Sequence, residues 1–425
     1  MIGKPRLSLG DFVKGGGPRV AYVATFPPTQ CGIATFTEDL TRAVDRQRTL
    51  PHSVIIAINP DEARHDYPSH VKFVIAKDRL ADYAAAADYI NRSDIDLVCI
   101  QHEFGIYGGD WGWYLIPFLK AIEKPVVATL HTVLRKPEAE PKQITQEMGR
   151  LCESLVVMNS IASHVLQDTY GIPGRKIRHI HHGAPKFTPE LGQKNKQRLT
   201  LVGRDVIATF GLINPGKGIE YAIQAMPRVV ERHPNALYLI LGETHPGVRR
   251  HSGEDYRRML ETTIAQLGLQ GHVVFDNRYL TKAQLIAYLE ATDLYVTPYL
   301  NPEQMVSGAL CYAVAAGLPI ISTPYLYAFE MLGNGRGMIV DFQDPAGIAE
   351  CINLLLDSPV LRQLMAAHTY KFGRRLLWDR VGAAHVSYYS EVAAEHAALS
   401  PAASTRAYPV APAVAGLRFS ADGRK

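Results

Sequence analysis

A lysine just inside a glycine-rich turn, in Phe210-Gly-Leu-Ile-Asn-Pro-Gly216-Lys217-Gly-Ile-Glu220, is the side chain in this sequence best placed to neutralise an anion. The helix dipole disfavours a cation at a helix start, so a merely solvated lysine is the poorer account and a charge-assisted contact inside a cleft the better one. A second stretch of the same kind runs from Tyr299 to Pro319. A β-rich run, Leu294 to Tyr299, passes an Asn301-Pro302 turn with Gln304 just beyond it, then opens into a helix-like segment that begins Ser307, Gly308, Ala309, Leu310. Unpaired N–H groups there favour an anion, and Gly308 lets a ligand approach the backbone, so phosphate is the leading candidate. Leu241-Gly-Glu243 and Phe275-Asp-Asn-Arg278-Tyr279 end two further strands and are candidates for holding a ribose and a base.

The first half offers polar groups at strand exits. Gly32, at the mouth of a helix in Pro27-Pro-Thr-Gln-Cys-Gly32-Ile-Ala, lets backbone amides approach a diphosphate, or is a plain turn glycine. Gln101-His102-Glu103-Phe-Gly-Ile-Tyr107 reads as a loop handling a polar substrate, with a His102–Glu103 pair bracing that loop as the alternative. Thr129-Leu-His131-Thr132 sets an imidazole at the same rim, able to hydrogen-bond a hydroxyl or relay its proton. Two metal-like patterns are set aside. His179, His181 and His182 leave a strand without nearby Cys or carboxylate partners, and Asp94-Ile-Asp96 precedes its strand, at the wrong end of a sheet.

The elements that must position these groups follow from apolar patterning. Short, nearly continuous apolar runs alternate with amphipathic stretches: Val20–Phe26, Ser53–Ile58, Val71–Ala76, Leu97–Gln101, Val126–Leu130, Leu155–Met158 and Ile177–Ile180. The polar run 192–198 breaks the pattern as a linker, and the alternation restarts with Val206–Ile213, Ala236–Leu241, Val273–Phe275, Leu294–Pro298, Ile320–Thr323 and Met338–Val340. Strands buried on both faces and separated by helices predict an α/β chain of two Rossmann-like, doubly wound parallel sheets facing a cleft. The expected divisions are a flexible lead-in over 1–17, an N-terminal domain over 18–195, a C-terminal domain over 196–365, a helical region over 366–398 and a disordered tail over 399–425.

At 425 residues the chain is too long for one ordinary core. Hydrophobic residues at 47%, charged residues at 20% and a net charge of +4 without a basic block suit a globular protein and argue against nucleic-acid binding. Five dispersed cysteines with no C-x-x-C pair fit free thiols in a reducing cytoplasm. No signal peptide or long apolar span is visible, so a spanning protein is not expected, although peripheral membrane contact stays open.

Gly211…Pro-Gly-Lys217-Gly-Ile-Glu, Gly242-Glu243, Ala291-Thr-Asp-Leu-Tyr-Val-Thr-Pro-Tyr299, Ala313-Val-Ala-Ala-Gly317-Leu-Pro and Gly335-Arg-Gly-Met-Ile-Val340 resemble the C-terminal half of the family-4 retaining glycosyltransferases (group 1). Gly32, His131 and His182-Gly183 match the first half more loosely. The resemblance implies a GT-B fold and a UDP- or GDP-sugar donor held by the second domain as co-substrate. It also implies a saccharide or glycoconjugate acceptor on the first domain, retention of configuration, and neither metal nor other cofactor. Taken with the residue readings above, Lys217 and His131 are expected to be catalytic. Donor contacts go to Gly32, Gly216, Glu243, Arg278, Tyr279, Gln304, Ser307, Gly308, Ala309, Leu310 and Tyr312, and acceptor contacts to His102, Glu103, Tyr107 and His131. The family's Glu-x7-Glu carboxylates fall at Gln304 and Tyr312, and its phosphate-binding arginine at Leu212. An inactive nucleotide- or glycan-binding protein and a nucleotide-sugar epimerase are therefore the alternatives.

Overall fold

The structure is a computed structural model and describes residues 17–47, 53–60 and 65–399. The lead-in and the tail expected from the sequence fall, but for Gly17 and Leu399, outside those residues.

Two parallel sheets form the frame. The first has seven strands: β1 (Val20–Ala24), β2 (Val54–Asn59), β3 (Val71–Ala76), β4 (Leu97–His102), β5 (Val126–Leu130), β6 (Ser154–Val157) and β7 (Ile177–His179), ordered β3-β2-β1-β4-β5-β6-β7. The second has six: β8 (Asp205–Phe210), β9 (Ala236–Leu241), β10 (Val273–Asp276), β11 (Leu294–Thr297), β12 (Ile320–Ser322) and β13 (Gly337–Ile339), ordered β10-β9-β8-β11-β12-β13. Every strand pair is parallel. The strands fall within one to three residues of the apolar runs at either end, because full burial on both faces demands apolar residues throughout; all of β1, β2, β4, β5 and β9 is buried.

Helices cover both faces. In the first lobe these are α1 (Gly32–Asp45), α2 (Leu80–Arg92), α3 (Leu115–Ala121), α4 (Ala139–Leu151) and α5 (Ser160–Asp168). The polar run expected to be a linker folds as a short helix, α6 (Gly192–Arg198). It is held by Asn195 donating to Glu290 (2.8 Å) and by the ammonium of Lys196, which pairs with Asp293. These partners lie far along the chain, which is why local composition could not announce the helix. The second lobe adds α7 (Ile219–Arg232), α8 (Pro246–Ser252), α9 (Asp255–Gln266), α10 (Lys282–Glu290), α11 (Gly308–Ala316), α12 (Leu326–Leu332), α13 (Pro345–Asp357) and α14 (Pro359–Gly373).

The last helix, α15 (Trp378–Leu399), returns to the first lobe. Its Trp378, Val381, Tyr388, Tyr389 and Val392 share a core with Tyr22, Leu40, Ile55 and Val127. A Cβ on Gly382 would sit 2.7 Å from the Ala43 backbone, so glycine is what allows α15 to lie so close on α1. The chain therefore crosses between lobes twice, and the crossings touch: Ala184 N–H donates to Leu376 O (2.7 Å) and Trp378 N–H to Ala184 O (2.9 Å).

In both sheets the strand order reverses at one place, between β1 and β4 and between β8 and β11. At such a switch point adjacent loops diverge and leave a crevice beyond the strands' C-terminal ends. The segments after these four strands hold the chemistry-bearing residues singled out above, apart from His131, Glu243, Arg278 and Tyr279, which follow neighbouring strands.

Candidate active site

The two crevices face one another across a cavity of ≈ 940 Å³. From the second lobe it is lined by Gly216, Lys217, Glu243, Arg278, Tyr279, Gln304, Gly308, Ala309 and Tyr312, and from the first by Gly32, Glu103 and His131, all expected from the sequence. The chain brings them together from seven separate segments, each following a different strand.

Lys217 ends a short 3₁₀ turn capped by Gly218, which has φ +60°; a Cβ there would meet the Pro298 carbonyl at 2.1 Å. That turn aims the ammonium back over the strand ends. The Lys217 ammonium donates to the Tyr299 hydroxyl and lies 4.1 Å from the Tyr299 ring centroid, so an aromatic face and a phenol hold the cation at the cavity wall. Across from it, α11 starts at Ser307, whose hydroxyl accepts the Leu310 N–H (3.2 Å). Serine thereby caps the helix and leaves the amides of Gly308 and Ala309 at the wall.

On the first lobe, His131 Nε2 lies 3.0 Å from Gln101 Oε1, and the Gln101 amide nitrogen donates to Cys99 Sγ (3.2 Å). A carbonyl oxygen only accepts, so His131 carries its proton on Nε2 and its bare Nδ1 is left as the acceptor. Burial lowers the His131 pKa to about 3, which keeps the ring neutral. Burial also raises the Glu103 carboxyl above its ordinary range, countered by the Thr132 hydroxyl and the Phe104 N–H donating to it.

Four residues expected at the ligand lie elsewhere. His102 is 1% exposed, stacked on Tyr107 and edge-on to Phe104, and burial lowers its pKa to about 3. Successive side chains of a strand point to opposite faces, so His102 faces the core beside Phe104 and Tyr107, while Gln101, itself fully buried on the other face, braces His131. Tyr107 is also core; its hydroxyl donates to Gln101 O (2.9 Å) and Val23 O (3.2 Å). Ser307 is spent as the cap, and Leu310 points into the apolar layer beneath α11.

Residues that the sequence reading did not assign also line the cavity: Phe36, Lys282, Trp378 and His182. His182 is set aside above as a metal ligand and enters the family resemblance in His182-Gly183, without a role. Its ring is edge-on to Phe36 at 4.9 Å, and Phe36 is also edge-on to His131 at 4.8 Å. His179 and His181 pair with each other at 4.6 Å. Asp96 accepts the Arg19 N–H (2.7 Å), at the opposite end of the sheet from the cavity.

The lobes are tied across the cleft. Asp39 of α1, 4% exposed, accepts the Tyr312 hydroxyl (3.2 Å) and pairs with Lys282. Thr35 and Tyr279 meet at 3.1 Å, Asn159 donates to Met305 O, and Met305 is buried in the first lobe's core. Gln304, held by its own amide donating to Val306 O (2.9 Å), precedes this inserted residue. Arg278 pairs with Asp276 (2.6 Å) and Glu243 with Arg249 (3.4 Å), which turns both rim charges into ion pairs.

Comparison with known proteins agrees with this architecture. Residues 193–372 match the family model of glycosyl transferases group 1. The D-inositol 3-phosphate glycosyltransferase of Corynebacterium efficiens is 24% identical over 341 residues, covering 75% of this chain and 78% of the relative. Spore coat protein SA of Bacillus subtilis is 24% identical over 270 residues, 59% of this chain and 69% of the relative. Among solved structures, Anabaena Alr3699/HepE in complex with UDP and glucose superposes with a TM-score of 0.70 at 15% identity, over 88% of this chain and 100% of the other. Sucrose-phosphate synthase from Thermosynechococcus elongatus does so at 0.71 and 15%, over 89% and 100%. The two facing doubly wound sheets are those of the GT-B fold, and the second of them carries the sequence pattern of the group 1 glycosyltransferases over residues 193–372.

Proposed function

We propose that the protein transfers a hexose from a UDP- or GDP-sugar to a hydroxyl of a saccharide or glycoconjugate acceptor, with retention of configuration. The observation that carries this reading is the facing of Lys217 and the α11 amides on one wall by a neutral His131 on the other. As the bond from the sugar's anomeric carbon to the phosphate oxygen breaks, negative charge grows on the leaving diphosphate. A fixed ammonium and helix-start amides stabilise that charge more than they stabilise the ground state. The ring becomes oxocarbenium-like, and the acceptor hydroxyl attacks from the face the phosphate leaves. Its proton passes to the phosphate oxygen, so no enzyme nucleophile is required. The bare Nδ1 of His131 accepts a hydroxyl hydrogen bond and orients a sugar. Ties such as Asp39–Tyr312 shut the lobes and exclude water, which suppresses donor hydrolysis. That a structural neighbour is in complex with UDP and glucose supports the donor class.

The test is a panel of nucleotide sugars incubated with the full chain while free UDP and GDP are followed with and without saccharide acceptors. Acceptor-dependent release of one nucleotide, with the anomeric configuration kept in the product, is the expected result. A second reading, a nucleotide- or glycan-binding protein without turnover, draws on Tyr312, whose hydroxyl is engaged by Asp39 where the resemblance places a carboxylate. Tight nucleotide binding without release from any donor would favour it.

A further inference from the structure

We propose that His182 is a specificity-determining residue whose Nε2 accepts a hydrogen bond from one hydroxyl of the transferred sugar, selecting donors that carry a hydroxyl there over their deoxy counterparts. The inference rests on the proposed transferase reading and adds a residue to it.

His182 Nδ1 lies 2.7 Å from the Gly183 carbonyl oxygen. A carbonyl can only accept, so the proton is on Nδ1 and Nε2 carries a lone pair. The ring cannot turn away. Phe36 packs edge-on against it at 4.9 Å and Trp378 lies tilted to it at 6.1 Å, and a Cβ on Gly183 would lie 2.2 Å from the Trp378 ring, so the backbone that carries the imidazole is pressed against that indole. Cys311 Sγ, on α11, donates to the His182 carbonyl oxygen (3.2 Å) and so ties this segment to the second lobe.

Nε2 lies at the start of α11, where a Cβ on Gly308 would come within 3.2 Å of it. Both residues line the cavity while His182 is only 8% exposed, so the lone pair has the cavity as its outlet. A diphosphate bound to the α11 amides puts its attached sugar beside this nitrogen. An unprotonated nitrogen attracts a hydroxyl and repels a carboxylate or a phosphate oxygen, so the ligand group it suits is a neutral sugar hydroxyl. His131 presents the same kind of acceptor, also edge-on to Phe36, and both imidazoles line the cavity.

The experiment compares full-length wild type, His182→Phe and His182→Gln with the donor found in the nucleotide-sugar panel and a complete set of its monodeoxy analogues. Both turnover and binding by titration calorimetry are measured, with free UDP or GDP as the control ligand. In wild type one deoxy analogue loses about 10- to 100-fold, the range for leaving a buried polar group unpaired. In His182→Phe the parent donor loses a similar factor and the penalty at that one hydroxyl disappears. His182→Gln, which keeps an acceptor, recovers part of the discrimination, and nucleotide affinity stays unchanged in both. A folded His182→Phe protein that still penalises the same deoxy donor, or that loses nucleotide affinity equally, overturns the assignment. Absence of any donor binding to wild type would instead overturn the transferase reading, and this inference with it.

Discussion

The two walls of the cleft are built on the same strand-to-helix pattern yet carry opposite chemistry. The second lobe offers fixed positive charge: Lys217 over Tyr299, the Gly308 and Ala309 amides, and arginines already paired at the rim. The first lobe offers neutral nitrogen. Burial takes His131 to a pKa of about 3 and His182 to about 4, so both present lone pairs and no charge. The difference teaches how one cleft separates two tasks: charge grips the group that leaves, and uncharged acceptors sort the hydroxyls that stay.

The comparison can be broken in several ways. The largest effect is expected below the wall of the first lobe. Tyr107→Ala should cost about 3–5 kcal/mol of stability, as for other buried aromatic truncations, measured by chemical denaturation, because that hydroxyl and ring brace β4 against β1. A small loss of stability with damaged acceptor kinetics would return Tyr107 to the cleft. Next, Lys217→Ala should lower turnover about tenfold or more with the fold intact. Unchanged kinetics would mean that the charged wall lies elsewhere.

The neutrality of the first lobe has its own signature. Buried His102, His131 and His182 have folded pKa values of about 3 to 4 against 6.5 when exposed, so between those limits the unfolded chain binds protons that the native state does not. Stability is therefore fully present above about pH 6.5 and drains away as pH falls toward 3 to 4, each ring contributing about 1.4 kcal/mol per pH unit. His102→Phe should remove one such increment from the slope, read by thermal unfolding across pH. An identical slope would show that His102 is not buried neutral. The smallest effect is expected at the seam between the walls: Asp39→Asn leaves Lys282 without its carboxylate and should raise donor KM about fivefold, with a larger radius of gyration by solution scattering. No change in either would show that the Tyr312 and Lys282 contacts do not hold the lobes.

Much of this frame was legible in the sequence. Strands buried on both faces must be apolar throughout, so the thirteen strands surface as runs, and Lys217 and Gly308 stand out because they follow such runs at strand-to-helix turns. What failed was facing. A strand exit names Gln101, His102 and Glu103 together, while the pleat buries Gln101 and His102 on opposite faces and leaves only Glu103 at the cavity. His182 carried a readable signal, a His-Gly pair at a strand exit that fits the family resemblance, but nothing in the sequence said what the imidazole meets there. Asp39 and its contact with Tyr312 had none, since the two meet only when helices 273 positions apart are brought face to face.

The paired crossings at Ala184 and Leu376 set how the molecule can move. Two neighbouring chain segments hydrogen-bonded side by side form a ribbon, and a ribbon bends about one axis far more readily than it twists. The lobes are thus hinged like the covers of a book, and however often the cleft opens to exchange ligands, it shuts with the same residues opposite one another.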